Sequence, residues 1–396
     1  MSFEEIKKKS EESIMPTYGK FLVAIESGKG SVVTDTQGKQ YIDFTSGIGV
    51  NSLGHAESGW IAAVTEQINK CAHVSNLYYN PTTVEMGAKL CEISGFSKVF
   101  LCNSGAEANE CAIKLARKYS FDKYGEGRST IISLVDSFHG RTMATVTATG
   151  QDSFHQYFHP FLPGFRYAKK TVQDLLSQWD ETVCAVMMEP IQGEGGVMPL
   201  DPAFVKEAAA LCKEKDVLLI FDEVQTGVGR TGKFFAWENI GVQPDVLTSA
   251  KGLAGGLPVG ACLCKEELGN VLGAGAHGTT FGGNPVACAG ALRVMEAVTA
   301  DGFLDDVQKK GRYIKECILK MENVAEVRGQ GLMIGIVLKS GTAKGVADRC
   351  VANGLLVLTA KALVRLLPPL NITPEELKKG LAILEKSLAE EAAASV

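Results

Sequence analysis

Between Val217 and Lys251 the chain lays down two apolar runs, each of which ends on a charged side chain. Val217-Leu-Leu-Ile-Phe221 is continuously apolar, the pattern of a parallel strand buried on both faces, and Asp222 and Glu223 follow it directly. Val246–Ala250 is a second such segment and ends on Lys251, which opens into the glycine-rich run Gly252–Gly256. A carboxylate and a lysine therefore stand at the carboxyl ends of two buried strands, the edge at which open α/β sheets bind ligands. A carboxylate there can keep a ring nitrogen protonated, and a partly desolvated lysine is an amine able to form a Schiff base. Taken singly, each is more simply an ordinary strand-end charge, so the rest of the chain decides.

The remaining segments repeat the same grammar. Val99–Cys102 is a short strand that runs into Asn103-Ser104-Gly105-Ala106-Glu107, where helical spacing begins. Ser104, Gly105 and Ala106 at a helix N-terminus offer free N–H groups and a hydroxyl to an anion. Ser104 with Glu107 also reads as a capping box, which is compatible with the anion site. Thr130–Val135 is another buried strand and leads to Phe138, His139 and Arg141. Phe138 suits stacking on a ring held by Asp222, or a place in the core. His139 reads equally as a hydrogen-bonded structural histidine. Arg141 presents a planar fork matched to a carboxylate. Val183–Met188 delivers Glu189, read as structural, and Glu194 between glycines. Near the C-terminus Arg365 is a lone charge in the apolar segment Ala362–Leu370 and must meet an anion, a structural salt bridge being the simplest.

An α/β class follows from this alternation, and 396 residues are too many for one ordinary core, so two domains are expected. Net charge −5 and a pI near 5.8 exclude a nucleic-acid surface as the main business of the chain. Its short cluster Lys7-Lys8-Lys9 reads as a solvated helix face. Eleven cysteines lack paired metal spacing; Cys262-Ala-Cys264 has no second pair, so no metal is expected and reduced thiols are. With no signal-like N-terminus and no apolar run of membrane-spanning length, the expected location is cytoplasmic. Residues 1–20 begin helical and break at Met15-Pro16, an arm that lies on another surface. Residues 21–45 alternate like short antiparallel strands, Ser46–Val50 is a tight loop suited to close ligand approach, and the tail Glu390–Val396 looks frayed.

Asp222-Glu-Val-Gln225-Thr-Gly227 together with Ser249-Ala-Lys251-Gly252 resembles the cofactor core of the class III (subgroup II) pyridoxal-phosphate aminotransferases, over nearly the whole chain. The resemblance implies fold type I, with a large domain built on a mostly parallel seven-stranded sheet and a smaller α+β domain. It implies residues 1–45 as an arm and strands packing with the small domain, 46–284 as the cofactor domain and 285–396 as the small domain. It implies pyridoxal 5'-phosphate on Lys251, Asp222 at the ring nitrogen, Gln225 at the ring's 3-oxygen and Phe138 against the ring. Ser104, Gly105 and Ala106 would hold the phosphate, with Thr280 reaching it from a partner subunit in a homodimer. Arg141 would take the substrate's distal carboxylate, and Arg365 the α-carboxylate, with Glu194 as its movable partner.

Ser46–His55, Ser75–Tyr79 and Phe138–Thr142 look most like acetylornithine aminotransferases, which implies passing the δ-amino group of N2-acetylornithine to 2-oxoglutarate in arginine biosynthesis. Ornithine aminotransferases usually carry a tyrosine near the position of Ile48, which argues against free ornithine. Succinylornithine, succinyl-diaminopimelate and 4-aminobutyrate stay open as donors. A pyridoxal-phosphate aminomutase is the reading from another enzyme class, and a non-catalytic protein with a relic site is disfavoured by Lys251, Asp222 and both arginines.

Overall fold

The computed structural model describes residues 1–395. Its strands, in chain order, are β1 (Ile25–Lys29), β2 (Val32–Asp35), β3 (Gln40–Asp43), β4 (Lys98–Cys102), β5 (Thr130–Leu134), β6 (Phe165–Ala168) and β7 (Val183–Met188). A short pair, β8 (Ile191–Gln192) and β9 (Met198–Pro199), precedes β10 (Leu218–Asp222), β11 (Val246–Ser249) and β12 (Gly260–Cys264). The C-terminal part adds β13 (Val324–Gln330), β14 (Met333–Leu338), β15 (Leu355–Leu356), β16 (Leu358–Ala360) and β17 (Leu363–Leu366).

Seven strands form the central sheet in the order β4-β12-β11-β10-β7-β5-β6. Every residue of β5, β7, β10 and β11 is buried, as continuous apolar runs require when helices cover both faces. β10 runs parallel to β7 and β11, whereas β12 is antiparallel to both β11 and β4. One strand is therefore reversed and six agree in direction, so the carboxyl ends of β4, β5, β7, β10 and β11 meet on one edge. β12 enters the sheet from that same edge, which keeps the link after Lys251 beside the site.

Local chemistry sets the helix ends. Asn80 caps the helix Pro81–Ser94, with proline in its first turn and Gly95 in the left-handed conformation at its end. The expected box at Ser104 forms only by half. The Ser104 hydroxyl accepts from the Glu107 N–H at 3.2 Å, but the Glu107 carboxylate accepts from the N–H of Asn103, one residue earlier, at 2.5 Å.

β1, β2 and β3 pair antiparallel, and β3 then pairs parallel with β15, so the N-terminal strands join the C-terminal part in one sheet. A second four-stranded sheet, β13-β14-β17-β16, carries Arg365 on β17. The C-terminal tail is not frayed through Ser395. The helix Pro374–Ala394 continues through it because Glu391 accepts from Arg349 Nε at 2.9 Å and from the Thr342 N–H at 3.0 Å.

The tight loop at Ser46 has an unusual form. Ser46, Gly47, Ile48 and Gly49 all have positive φ, between 42° and 75°, and make one left-handed turn closed by the Val50 N–H on the Ser46 carbonyl. Ile48, a β-branched residue, is costly in that conformation, by about 1–2 kcal/mol. Beneath the turn the guanidinium of Arg230 is 2% exposed and donates to the carbonyls of Pro368 (2.5 Å) and Leu332 (3.1 Å) and to the Ser46 hydroxyl (3.5 Å). Arg230 thus ties together the loop after β10, the β13–β14 hairpin, the exit of β17 and the left-handed turn.

Candidate active site

The converging strand ends enclose a cavity of about 400 Å³ lined by Ser104, Phe138, Arg141, Asp222, Gln225 and Lys251 among others. Asp222, 4% exposed at the end of β10, forms its floor. One carboxylate oxygen accepts from Asn109 Nδ2 and His139 Nδ1, both at 2.8 Å, and the other from the Val224 N–H at 3.0 Å. Three donors fix the carboxylate's orientation. Asn109 is in turn fixed by the Thr248 hydroxyl at 2.7 Å and donates to the His139 carbonyl at 2.7 Å. Asn109 is a functional residue that the sequence reading did not single out. Its signal was available, since it stands four residues after Gly105 on one helix face. His139, left open between a structural and a functional role, is in direct contact with Asp222.

Lys251 follows β11 with φ of 43° and opens a short 3₁₀ turn. Burial holds its ammonium below the ordinary 10.5; Asp222 and Glu194 oppose that shift and Arg365 adds to it. The side chain is therefore biased toward the neutral amine that covalent chemistry needs. Glu189 is buried among the same groups and accepts from the N–H groups of Phe138 (3.0 Å) and Gly193 (3.2 Å). Burial pushes its carboxyl well above the usual range, with His139 opposing and Asp222 adding to the rise.

Ser104 ends the stretch after β4, and Gly105 and Ala106 stand in the first helical turn, whose N–H groups have no carbonyl within the helix. A Cβ on Gly105 would lie 2.6 Å from a methyl of Val224, so only glycine lets the cup close on the strand-end loop. Thr280 is exposed and is not part of this cavity in its own chain, whereas the neighbouring Thr279 hydroxyl accepts from Asn103 Nδ2 at 3.0 Å.

The two arginines are held in different ways. Arg365, 3% exposed, donates through one terminal nitrogen to Glu194 at 2.6 Å and to Gln225 Oε1 at 3.2 Å, while its Nε is buried without a partner. Arg141 lines the cavity with its guanidinium over aromatic rings, 4.2 Å from the Phe154 centroid and 5.5 Å from that of Phe138. All the anticipated groups except Thr280, Glu194 and Arg365 thus line one cavity, and Arg365 with Glu194 meets it through Gln225.

A chain with this sheet, with a lysine and a carboxylate on adjacent strand ends and with an anion cup facing them, has the architecture of a fold-type I pyridoxal-phosphate enzyme. Residues 14–388 match the family model "Aminotransferase class-III", and the chain belongs to that family. It is 46% identical over 395 residues to the acetylornithine aminotransferase of Haemophilus ducreyi, covering 98% of this chain and 100% of that one. The acetylornithine aminotransferase of Caldanaerobacter subterraneus is 45% identical, covering 95% of this chain and 97% of the relative. Among solved structures, an ornithine aminotransferase from Toxoplasma gondii superposes with TM-score 0.95 at 32% identity, over 100% of this chain and 96% of the other. The N-acetylornithine aminotransferase of Stenotrophomonas maltophilia gives 0.85 at 36% identity, over 98% and 99%. The protein is an aminotransferase and its cofactor is pyridoxal phosphate. The residues fit that group, with an acid for the ring nitrogen, an amine for the aldehyde and a glycine-lined helix terminus for the phosphate.

Proposed function

We propose that the protein moves the terminal amino group of N2-acetylornithine to 2-oxoglutarate, giving N-acetylglutamate 5-semialdehyde and glutamate, as a step of arginine biosynthesis. The observation that carries the reading is the contrast between Arg141, without an ion-pair partner among the described residues, and an Arg365 capped by Glu194 at 2.6 Å. Acetylornithine brings one carboxylate, remote from the reacting amine, and Arg141 receives it. Glutamate brings a second carboxylate beside its amine and draws Arg365 away from Glu194. With Arg365 capped, the acylated donor does not face a bare buried cation.

Bound pyridoxal phosphate supplies a ring that takes up the electron pair left when the substrate carbon loses its proton. Lys251 would hold the cofactor's aldehyde through its amine, and the same amine, freed, would take up and return the substrate's proton. Asp222, fixed by Asn109, His139 and Val224, keeps the proton on the ring nitrogen. Gln225 uses its oxygen on Arg365 and keeps Nε2 free as a donor toward the ring's 3-oxygen. Ser104, Gly105 and Ala106 would hold the phosphate and Phe138 would stack on the ring.

The proposal includes a homodimer in which the partner subunit's Thr280 completes the phosphate site. Leu77 (87% exposed), Tyr79 (99%) and Phe281 (63%) support it. They stand on two loops that Asn76 Nδ2 joins through the carbonyls of Thr279 and Gly282, next to Thr280, and such a patch calls for cover. Domains 1–45, 46–284 and 285–396 remain the proposed division, with the helix Pro285–Val298 as the joint, since it packs on the helices Ser58–Lys70 and Pro81–Ser94. A cytoplasmic location is supported by eleven cysteines that are all unpaired among the described residues.

Steady-state comparison of acetylornithine, succinylornithine, ornithine and 4-aminobutyrate with 2-oxoglutarate tests the substrate. Acetylornithine is expected to give the highest kcat/KM; a higher value for ornithine would overturn the reading, which the close superposition on an ornithine aminotransferase makes the rival. Turnover without any added oxoacid would instead indicate an aminomutase.

A further inference from the structure

Among the described residues Arg141 has neither an acid nor a carbonyl to hold it, whereas Arg117, Arg128 and Arg230, likewise without an acid, donate to backbone carbonyls. The arginine ion pairs are those of Arg166, Arg293, Arg328, Arg349 and Arg365. Arg141 instead lies on the ring of Phe154 at 4.2 Å, and that ring meets Phe138 edge to face at 5.5 Å and 65°. Phe154 closes a 3₁₀ turn, Asp152–Phe154, that is pinned on both sides. Gln151 Nε2 donates to the Ser137 carbonyl at 2.9 Å, and the His155 ring nitrogen donates to the Val146 carbonyl at 2.9 Å while its ring packs on Phe161 and Tyr167.

A ring face and a carboxylate hold a guanidinium with different consequences. A carboxylate occupies N–H donors and neutralises charge, so an incoming substrate must displace it. A ring attracts the cation through its quadrupole and leaves all five N–H donors free. It also confines a side chain that otherwise loses its rotamer freedom on binding.

We propose that Phe154 is the positioning residue for Arg141, a platform that keeps this arginine oriented and permanently open to a carboxylate while Arg365 is opened and closed by Glu194. The inference rests on the reading of Arg141 as receptor for the remote carboxylate. Because Phe154 also touches Phe138, the platform sets the spacing between the ring-stacking face of the site and the carboxylate receptor.

The test uses the holoenzyme and two readouts, KM for each substrate and calorimetric binding of glutarate, an unreactive dicarboxylate. Phe154→Leu keeps apolar bulk and removes the ring face. It is expected to weaken glutarate binding and to raise KM for both acetylornithine and 2-oxoglutarate by roughly 3- to 30-fold, with kcat, cofactor absorbance and Tm little changed. Phe154→Tyr is expected to restore binding. If Phe154→Leu does not fold, Phe154→Met carries the same comparison. In an Arg141→Ala background Phe154→Leu is expected to add nothing. If Arg141→Ala weakens glutarate but Phe154→Leu still adds its full loss, the platform idea is overturned and the role of Arg141 stands. If Arg141→Ala leaves glutarate binding unchanged, the role of Arg141 falls first and the platform with it.

Discussion

Glu194→Gln isolates the capping of Arg365 from everything else in the cavity. The variant keeps the shape of the side chain and a carbonyl oxygen within reach of the guanidinium, and removes only the charge. In the native protein the contact is 2.6 Å long, with Arg365 3% and Glu194 31% exposed. A hydrogen bond between charged groups contributes ~1.5–3 kcal/mol, and the partial exposure of Glu194 places this one toward the lower end, about 1.5–2 kcal/mol. Glutamate must displace that cap to reach Arg365, so its loss should tighten glutamate by roughly 10- to 30-fold. Acetylornithine gains nothing, because its only carboxylate belongs at Arg141, and an uncapped Arg365 invites it to bind the wrong way round. Stopped-flow absorbance of the lysine-bound cofactor, mixed with one amino donor at a time, separates the half-reactions. The expected result is a lower apparent Kd for glutamate and a slower acetylornithine half-reaction. An equal shift for both donors, or none for either, would refute the reasoning. Arg365→Ala gives the converse, a loss confined to glutamate of about 30- to 1,000-fold, from 2–4 kcal/mol of charge-assisted pairing.

Three further outcomes follow from packing and charge. Gly105→Ala forces a methyl to 2.6 Å from Val224, and the overpacking should cost about 1–3 kcal/mol and loosen the cofactor; Val224→Ala in the same chain should recover much of both, read by Tm and by cofactor release on dialysis. Lys251 has a depressed native value, so between that value and 10.5 the unfolded chain binds more protons than the native one and stability rises with pH. The stability of apo-protein minus that of apo-Lys251→Met should therefore rise as pH climbs toward 10.5 in denaturant titrations, and a difference that stays flat or falls would contradict the burial of the amine. Arg230→Met strips donors from two buried carbonyls and should lower stability by about 2–5 kcal/mol, with Arg230→Lys in between, measured by thermal unfolding.

Which parts of this structure were legible beforehand has a physical pattern. Strand ends were readable because doubly buried strands write themselves as unbroken apolar runs, so Asp222 and Lys251 could be placed on one edge, and the neighbouring motifs gave them a role. The helix terminus at Ser104 was readable because capping is local chemistry. What escaped is what distant contacts impose. Ile48 in a left-handed turn contradicts its own conformational preference and is tolerated because Arg230 and Ser46 fasten the turn from below. Arg230 itself sits in a turn punctuated by Gly227, Gly229 and Gly232, a pattern that carries no sign of its burial. Glu391 looked like part of a loose tail because its partner, Arg349, lies in another helix. Phe154 carries no motif, and its meaning arises only where Asp152–Phe154 folds back over Arg141.

The reversed strand also governs the order in which such a chain can be made. Among the described residues β4 is an edge strand whose only sheet neighbour is β12, with Lys98 opposite Cys264, and the flank of β3 away from β2 waits for β15, with Ile42 opposite Leu355. During synthesis β4 thus leaves the ribosome without its partner, β3 pairs with β2 but keeps one flank open, and β11 keeps an open flank until β12 arrives. Loop-closure entropy must be met before those pairings return any energy, which makes folding slow and dependent on a nearly complete chain. Until then the open edges of an apolar sheet are templates for pairing with other nascent chains. The same topology that gathers the reactive groups on one rim therefore leaves the protein exposed to aggregation for most of its translation.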